Sequence, residues 1–349
     1  MIPRHLRPAP GRAAILWGCR QGRTQGEGRM SIRVILSFCL LLAPFVAGAA
    51  EFNASRPVRI IVPVSPGGSA DVMARIMAQV LAPMWGQQVV VESRTGAGGH
   101  LAGEMVARSP GDGHTILFGT IAIHGAYGMY QRLSYAPASD LAPIVLLVEV
   151  PYVVVAHPTR PFATLAALIA AARQRPGEIT FGSAGNGTST HMAGELFMLS
   201  AGVRLQHVPY RGSSQALNDL MANNIDIMFE NLPTIPPVAR DGRVRPLAVT
   251  SAARVPSLPE VPTAAEAGLP GYVTNAWFTL AAPGSTPPAL LDALNRDVRA
   301  AMAEPATRQR LLDLGTMPRG LTVPEIRAYF AAETQTWNRV IAAANLKVD

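Results

Sequence analysis

Runs of apolar, β-branched residues alternate with segments of helical periodicity from Arg56 to the C-terminus, and this alternation constrains the fold most strongly. Residues 58–64 have the composition of a strand, and residues 69–84 place their apolar side chains on one helical face before Gly86. Strands that alternate with helices are typical of α/β folds with mostly parallel strands. The same pattern predicts strands at 88–92, 115–119, 179–181, 205–208 and 225–229, helices at 99–108, 165–175, 191–201, 214–222, 289–302 and 306–314, and a last helix that Thr322 and Glu325 begin as a capping box.

Two extended passages divide these strand–helix units into two sets. Residues 144–148 and 152–156 are two extended segments that form a long passage where the first set ends, and residues 247–250 are extended where the second ends. We therefore predict two lobes, each a mostly parallel sheet flanked by helices, with two connections and a cleft between them. Lobe 1 comprises residues 51–150 and 254–349, and lobe 2 comprises residues 151–253. Ligands of open α/β sheets bind beyond the carboxyl ends of the strands, so the loops that follow those ends are expected to form the site.

The net charge of +7 is concentrated at the N-terminus. Residues 1–50 carry seven arginines against one acidic residue, Glu27, whereas the remainder of the chain is nearly neutral. Binding to a phosphate backbone requires a concentrated basic surface, so a nucleic-acid partner is not expected. No apolar run reaches the ~18 residues of a membrane-spanning helix, which argues against an integral membrane protein.

Residues 30–50 have the pattern of a secretory signal peptide. Arg33 precedes an apolar stretch that ends in small residues, so cleavage is expected after Ala49 or Ala50. Residues 1–29 would then be an upstream extension, with an unusually long n-region as the alternative. The expected product is an exported chain.

The loop between the first strand and the first helix, residues 65–71, predicts a seat for an anion. Gly67 and Gly68 permit close backbone approach and positive φ, and a helix that begins at Ser69 offers unpaired N–H groups. A carboxylate would suit this seat, whereas an ordinary glycine turn with Ser69 as N-cap is the alternative. Asp71 is a further candidate, although a carboxylate in the first helical turn is more typical of a cap or dipole partner.

The loop that follows the strand at 179–181 repeats this arrangement in the second set. Glycines at 182, 185 and 187 free the backbone of this loop, and hydroxyl groups at 188–190 precede a helix. His191 lies near that helix N-terminus and is expected to pack or hydrogen-bond as a neutral side chain rather than act as a base.

Two further segments are candidates for the cleft. Arg211 follows a strand and has the forked geometry that binds carboxylates, although an arginine in a turn is more often solvated. Glu230 and Asn231 end the strand at 225–229 and are expected to line the cleft on the same grounds. Tyr210 and Phe278 are candidate wall residues.

The residue inventory favours a binding protein over an enzyme. Both cysteines, Cys19 and Cys39, lie in the leader, and Lys347 is the only lysine, so thiolate and Schiff-base chemistry are not expected. No phosphate loop, nucleophile elbow or metal-ligand spacing occurs, and no cofactor or metal is expected. The rival hypothesis is an exported carboxylate-processing hydrolase with Asp71 or His191 as base.

Several separated motifs resemble the Bug family, the periplasmic solute-binding proteins of tripartite tricarboxylate transporters. The resemblance runs from about residue 56 to the C-terminus, and it rests on the order and spacing of the motifs. They are Ile61-Val-Pro, Pro66-Gly-Gly with Asp71, Val91-Glu-Ser-Arg, Gly96-Ala-Gly-Gly, Asp112-Gly-His-Thr-Ile-Leu, Gly182-Ser-Ala-Gly, His191, Val208-Pro-Tyr-Arg-Gly, Leu258-Pro-Glu-Val-Pro-Thr and Ala282-Pro-Gly-Ser-Thr-Pro.

The resemblance implies a periplasmic, two-lobed Venus-flytrap protein that closes on a small carboxylate: a dicarboxylate, tricarboxylate, amino acid or aromatic acid. It implies that the two glycine-containing loops hold carboxylate groups, largely by backbone amides and bound water. Carried over residue by residue, the first loop binds through Gly67, Gly68 and Ser69, and the second through Ser183, Gly185, Gly187 and Thr188. A membrane transporter or a sensor would recognise the closed form, and an orphan binding protein without a transport partner is the alternative. We expect a monomer. Ser93, Thr95 and Thr279 depart from the family pattern, so the motifs leave the identity of the acid open.

Overall fold

The computed structural model describes residues 51–348. They form an α/β fold in which a curled sheet is flanked by helices. The predicted leader in residues 1–50, with both cysteines, lies outside the described residues. The strands are β1 (Val58–Val62), β2 (Val89–Ser93), β3 (Thr115–Gly119), β4 (Leu141–Ala156), β5 (Thr180–Ser183), β6 (Gln206–Pro209), β7 (Ile227–Asn231), β8 (Arg245–Val249), β9 (Asn275–Pro283) and β10 (Met317–Pro318). The α-helices are α1 (Ser69–Trp85), α2 (His100–Ala107), α3 (Ile121–His124), α4 (Pro137–Asp140), α5 (Leu165–Gln174), α6 (Ser189–Ala201), α7 (Ser213–Met221), α8 (Ile235–Arg240), α9 (Pro288–Ala303), α10 (Pro305–Asp313) and α11 (Val323–Ala343).

The strands follow the order β2-β1-β3-β9-β4-β7-β5-β6, and β8 and β10 also pair with β4. β1 is parallel to β2 and β3, and β5 is parallel to β6 and β7, as the alternation of strands and helices predicts. β4 and β9 join these two sets through antiparallel pairs. The parallel prediction therefore holds for each set, whereas the centre of the sheet is antiparallel because those neighbours are not linked by helical crossovers.

The central strand β4 is continuous over 16 residues, where the sequence predicts two shorter extended segments. From Leu141 to Pro151 it pairs with β9, and from Tyr152 to Ala156 it pairs with β7. Every residue of β4 except Glu149 is buried, which explains its nearly unbroken apolar composition.

The two segments predicted to connect the lobes lie side by side. The backbone N–H of Tyr152 donates to Thr250 Oγ1 at 2.9 Å, and the Thr250 N–H donates to the Tyr152 carbonyl at 3.0 Å. The division into residues 51–150 with 254–349, and residues 151–253, stays a prediction.

Sequence reasoning missed β9, which is buried between β3 and β4 along almost its whole length. Its sequence is NAWFTLAAP, which has neither alternation nor a β-branched run. Small alanines suit a strand covered on both faces, and this burial, rather than a local preference, fixes its conformation.

Two helix ends confirm local sequence signals. α1 ends at Gly86, which has the left-handed φ of 62° typical of a helix C-terminus. α11 begins with the complete capping box of Thr322 and Glu325. Within residues 51–348, no helix combines the length and the apolar character needed to cross a membrane.

Candidate functional site

Three helices begin at one small cavity. Ser69, Ser189 and Ser213, the first residues of α1, α6 and α7, all line it. The first N–H groups of a helix have no partners within the helix and carry the positive end of its dipole, so this convergence favours an anion. The cavity has a volume of about 30 Å³ and is lined by Val64, Gly68, Ser69, Ala70, Thr120, Ala184, Thr188, Ser189, Thr190, Ser213, Asn231 and Phe278.

The lining of this inner cavity combines apolar surface with hydroxyl and amide side chains and carries no charged side chain. Ser69 is 1% exposed and Asn231 is 5% exposed, and neither Ser69 Oγ nor Asn231 Oδ1 has a hydrogen-bond partner. A buried polar atom without a partner costs free energy. These two side chains are therefore available for a bound molecule, together with the helix N-termini.

The first loop is held in place by Asp71. Its Oδ2 accepts hydrogen bonds from the Gly67 N–H at 3.1 Å and from Arg75 Nε at 2.9 Å. Gly67 has a φ of 87°, which favours glycine. Gly68 is the N-cap of α1, and a Cβ placed there would lie 2.9 Å from Ser213 Oγ. The structure thus places Gly68 at the cavity, while Asp71 fixes the loop from behind.

The second loop is braced by its own hydroxyl groups. Ser183 Oγ accepts from the Gly185 N–H at 3.1 Å and lies 2.6 Å from His207 Nε2. Thr188 Oγ1 donates to the Gly185 carbonyl at 2.6 Å. Thr188 lines the inner cavity as the N-cap of α6, whereas Ser183 and Gly185 do not line it.

Two stacked histidines, His191 and His207, form hydrogen bonds with residues of this loop. His191 Nδ1 accepts from the Gly187 N–H at 3.0 Å, so we assign the proton to Nε2, which lies 3.2 Å from Glu195 Oε1. The rings of His191 and His207 stack with centroids 3.9 Å apart. Burial, followed by the proximity of His191, lowers the pKa of His207 to about 3. His191 thus has the hydrogen-bonding role that its position predicts.

The third loop is the one that follows β6. Ser213, at its end, lines the inner cavity, whereas Arg211 does not. Arg211 is exposed, its N–H donates to Gln215 Oε1 at 3.3 Å, and its carbonyl accepts from the Ser65 hydroxyl at 3.1 Å. The expectation that ligands bind beyond strand ends leads to this loop, which ends at the inner cavity. That expectation cannot tell the arginine from the serine two residues later, because that depends on where α7 begins.

Arg211 lines an outer pocket of about 270 Å³ instead. This pocket shares Val64 and Ala184 with the inner cavity, and Gly185 and Tyr210 also line it. The two spaces are therefore adjacent, and together they contain most of the predicted binding residues.

Three further residues complete the inner cavity. Asn231 and Phe278 line it, as their predicted places in the cleft suggest. Thr120, the N-cap of α3, was not singled out, although it follows β3 directly and the expectation about strand ends covers it. Glu230 does not line the cavity; it is fully buried beside it.

A larger pocket, of about 760 Å³, lies elsewhere, between α4, the start of α9 and α11. None of the glycine-rich loops reaches it. Across residues 51–348, no group of three or more histidine, cysteine or acidic side chains is placed to hold a metal ion. We therefore regard the inner cavity as the functional site.

The chain is similar to known proteins in both sequence and structure. Protein BugT from Bordetella pertussis is 36% identical, over 86% of this chain and 93% of BugT. The structure of Rpa4515 from R. palustris with adipate has a TM-score of 0.81 and 36% identity, over 84% of this chain and 98% of that one. MatC from Rhodopseudomonas palustris with bound malate has a TM-score of 0.78 and 32% identity, over 82% of this chain and 99% of that one.

The family comparison agrees with these likenesses. The profile of the tripartite tricarboxylate transporter family receptor matches residues 73–346. The structure of the periplasmic binding protein BugD has a TM-score of 0.79 and 31% identity, over 84% of this chain and 99% of that one. The chain belongs to the tripartite tricarboxylate transporter receptor family of solute-binding proteins.

Proposed function

We propose that the protein captures a small carboxylate in the inner cavity and presents it to a tripartite tricarboxylate-type transporter. The observation that carries the proposal is the convergence of three helix N-termini on a cavity whose lining includes hydroxyl and amide groups but no charged side chain. Backbone N–H groups and the Ser69 hydroxyl bind a carboxylate without a fixed counter-charge. The adipate and malate held by the similar proteins support a carboxylate as ligand.

The dimensions of the site favour a ligand that occupies both spaces. About 30 Å³ accommodates little more than one carboxylate group, so the rest of the molecule would extend into the adjacent outer pocket. Arg211 lines that outer pocket and would pair with a second carboxylate there. We therefore favour a dicarboxylate over the amino acids and aromatic acids that the family resemblance also implies.

Ligand entry would require the loops to separate. The Ser65 hydroxyl donates a hydrogen bond to the Arg211 carbonyl, and the Pro66 carbonyl accepts one from the Ser214 hydroxyl. Tyr130 Oη donates to the Asn186 carbonyl at 2.8 Å. In our proposal the predicted lobes rotate apart, and the ligand stabilises the closed form by its higher affinity for it. A transporter or a sensor would recognise that form in the periplasm, after removal of residues 30–50.

The contacts of Asp71 and His191 favour binding over catalysis. Asp71 Oδ2 is occupied by Gly67 and Arg75, and His191 is held between Gly187 and Glu195. Neither residue lines the inner cavity. A hydrolase would need one of them to reach the bound acid.

A ligand screen tests the proposal. We expect adipate or malate at millimolar concentration to raise the midpoint of thermal unfolding, because a molecule that binds only the folded chain stabilises it. Calorimetry should then give a single site per chain. Acetate, which fills only the inner cavity, serves as a matched weak ligand. If no carboxylate changes the midpoint or gives heat, the proposal is wrong.

A further inference from the structure

Glu230 is a fully buried carboxyl group beside the inner cavity that the binding mechanism above does not use. It is the fourth of the five residues of β7 and lies opposite Val153 of β4. Its Oε1 accepts a hydrogen bond from Thr234 Oγ1 at 3.2 Å, whereas its Oε2 has no hydrogen-bond partner. A buried carboxylate is normally paired, so this group is held at a cost that suggests a role.

Two residues that line the cavity also adjoin this carboxyl group. Asn231 follows Glu230 directly and contributes its unpartnered Oδ1 to the cavity. The Ser213 hydroxyl lies near the Glu230 carboxyl and favours its ionised form. Since Ser213 also lines the cavity, a single side chain separates Glu230 from a bound anion.

The surroundings of Glu230 offer no compensating positive charge among the described residues. On β4 the titratable neighbour is the buried phenol of Tyr152, on α7 the nearby group is Ser213, and on the turn after β7 it is Thr234. Burial outweighs the hydroxyl and backbone contacts and raises the pKa of Glu230 to about 7. At neutral pH, the protonated and ionised forms of Glu230 are therefore present in comparable amounts.

We propose that the site takes up a proton on Glu230 together with its anionic ligand. This inference rests on the proposed function. A carboxylate in the inner cavity would place a second negative charge close to Glu230 in a region of low dielectric constant. Protonation of Glu230 removes that repulsion, so the complex holds more protons than the free protein. By linkage, the affinity for the anion falls as the pH rises through neutrality.

Calorimetry with adipate tests the inference, since adipate is fully ionised well below neutral pH. We expect its Kd to weaken by about tenfold between pH 6.5 and 8.5, the effect of at most one proton. Titration in phosphate and in Tris at pH 7.5 should give different heats, because the proton comes from the buffer. This second measurement uses the unaltered protein and does not depend on how any variant folds.

Two variants identify the group that takes up the proton. Glu230→Gln mimics the protonated carboxyl, so we expect it to keep the affinity at pH 6.5 within about threefold and to lose the pH dependence. Glu149→Gln is the matched control, since Glu149 is a partly buried carboxyl of β4 paired with Arg319 and away from the cavity. It should keep the full pH dependence.

The outcomes separate the two proposals. Adipate that binds with a pH-independent Kd and equal heats in both buffers would overturn the proton uptake and leave carboxylate capture intact. A pH dependence that survives in Glu230→Gln would also overturn the assignment to Glu230. Failure of adipate to bind at any pH would contradict the proposed function, and with it the proton uptake that rests on it.

Discussion

At the scale of single residues, Gly68 is the position where a side chain would affect binding most directly. Its φ of −83° is accessible to any residue, so substitution does not strain the backbone. A Cβ there would nevertheless lie 2.9 Å from Ser213 Oγ, close to where α1 and α7 begin. The effect of a substitution should therefore fall on the cavity rather than on the fold.

We expect Gly68→Val to weaken carboxylate binding by tenfold or more, which corresponds to at least about 1.4 kcal/mol. Calorimetry with adipate gives the affinity, and thermal unfolding shows whether the variant is folded. Gly271→Val is the control, because a Cβ at Gly271 has no neighbour within 4 Å. Unchanged affinity in Gly68→Val would exclude the first loop from the binding site.

Residue chemistry alone directed attention to Arg211, and the structure explains why this was only partly useful. The sequence indicates the loop after β6, but the residue there that lines the inner cavity is Ser213, at the first turn of α7. A cationic side chain is a strong signal in a sequence, whereas a backbone N–H carries no residue identity. A binding site formed by helix N-termini is therefore predicted from the positions of strand ends and glycines in the sequence, and not from charged residues.

At the scale of elements, the site depends on contacts between the first loop and α7. Ser214 Oγ donates to the Pro66 carbonyl at 3.0 Å, and the Ser65 N–H donates to the Arg211 carbonyl at 3.4 Å. None of these groups lines the inner cavity. In the proposed mechanism they stabilise the closed arrangement of the loops without contacting the ligand.

Removing one such contact should lower affinity indirectly. We expect Ser214→Ala to weaken adipate binding by about two- to tenfold, the usual net worth of one hydrogen bond. Ser139→Ala is the matched control, because that exposed hydroxyl bonds only within α4 and its N-terminal flank. Equal affinities of the two variants, measured by calorimetry, would show that the contact does not contribute to closure.

The elements themselves were predicted where a local pattern determines them. α1, α5 and α10 begin and end within about two residues of the predicted positions, because caps, glycines and helical periodicity act locally. β9 was missed and β4 was divided, because both are defined by burial between neighbouring strands that are distant in sequence. No local signal distinguishes the apolar sequence of β9 from a buried loop.

At the scale of the whole molecule, three histidines whose pKa is lowered mainly by burial make the fold sensitive to acid. Burial lowers the pKa of His100 to about 4 and those of His124 and His207 to about 3. The unfolded chain therefore binds more protons than the folded chain below about pH 6.5, and stability is lost as the pH falls. Glu230, whose pKa is raised to about 7, acts in the opposite direction with a single group.

The net effect is a decrease in stability of about 2 kcal/mol per pH unit near pH 5.5. We expect urea unfolding at a series of pH values from 7 to 5 to show this slope. His207→Gln should reduce the slope, whereas substitution of His157, which is only partly buried, should change it less. A free energy of unfolding that stays constant between pH 7 and 5 would contradict the burial of neutral histidines.

The continuity of β4 has a mechanical consequence. A single strand belongs to both strand sets, and its partner changes from β9 to β7 between Pro151 and Tyr152. Thr250 is bonded to Tyr152 at the same level. Rotation of one strand set relative to the other would therefore have to twist two adjacent segments together, β4 near Tyr152 and the segment at Thr250. In the proposed mechanism, such a pivot would favour movement about one axis, so the rims of the cavity would separate and meet along the same path each time.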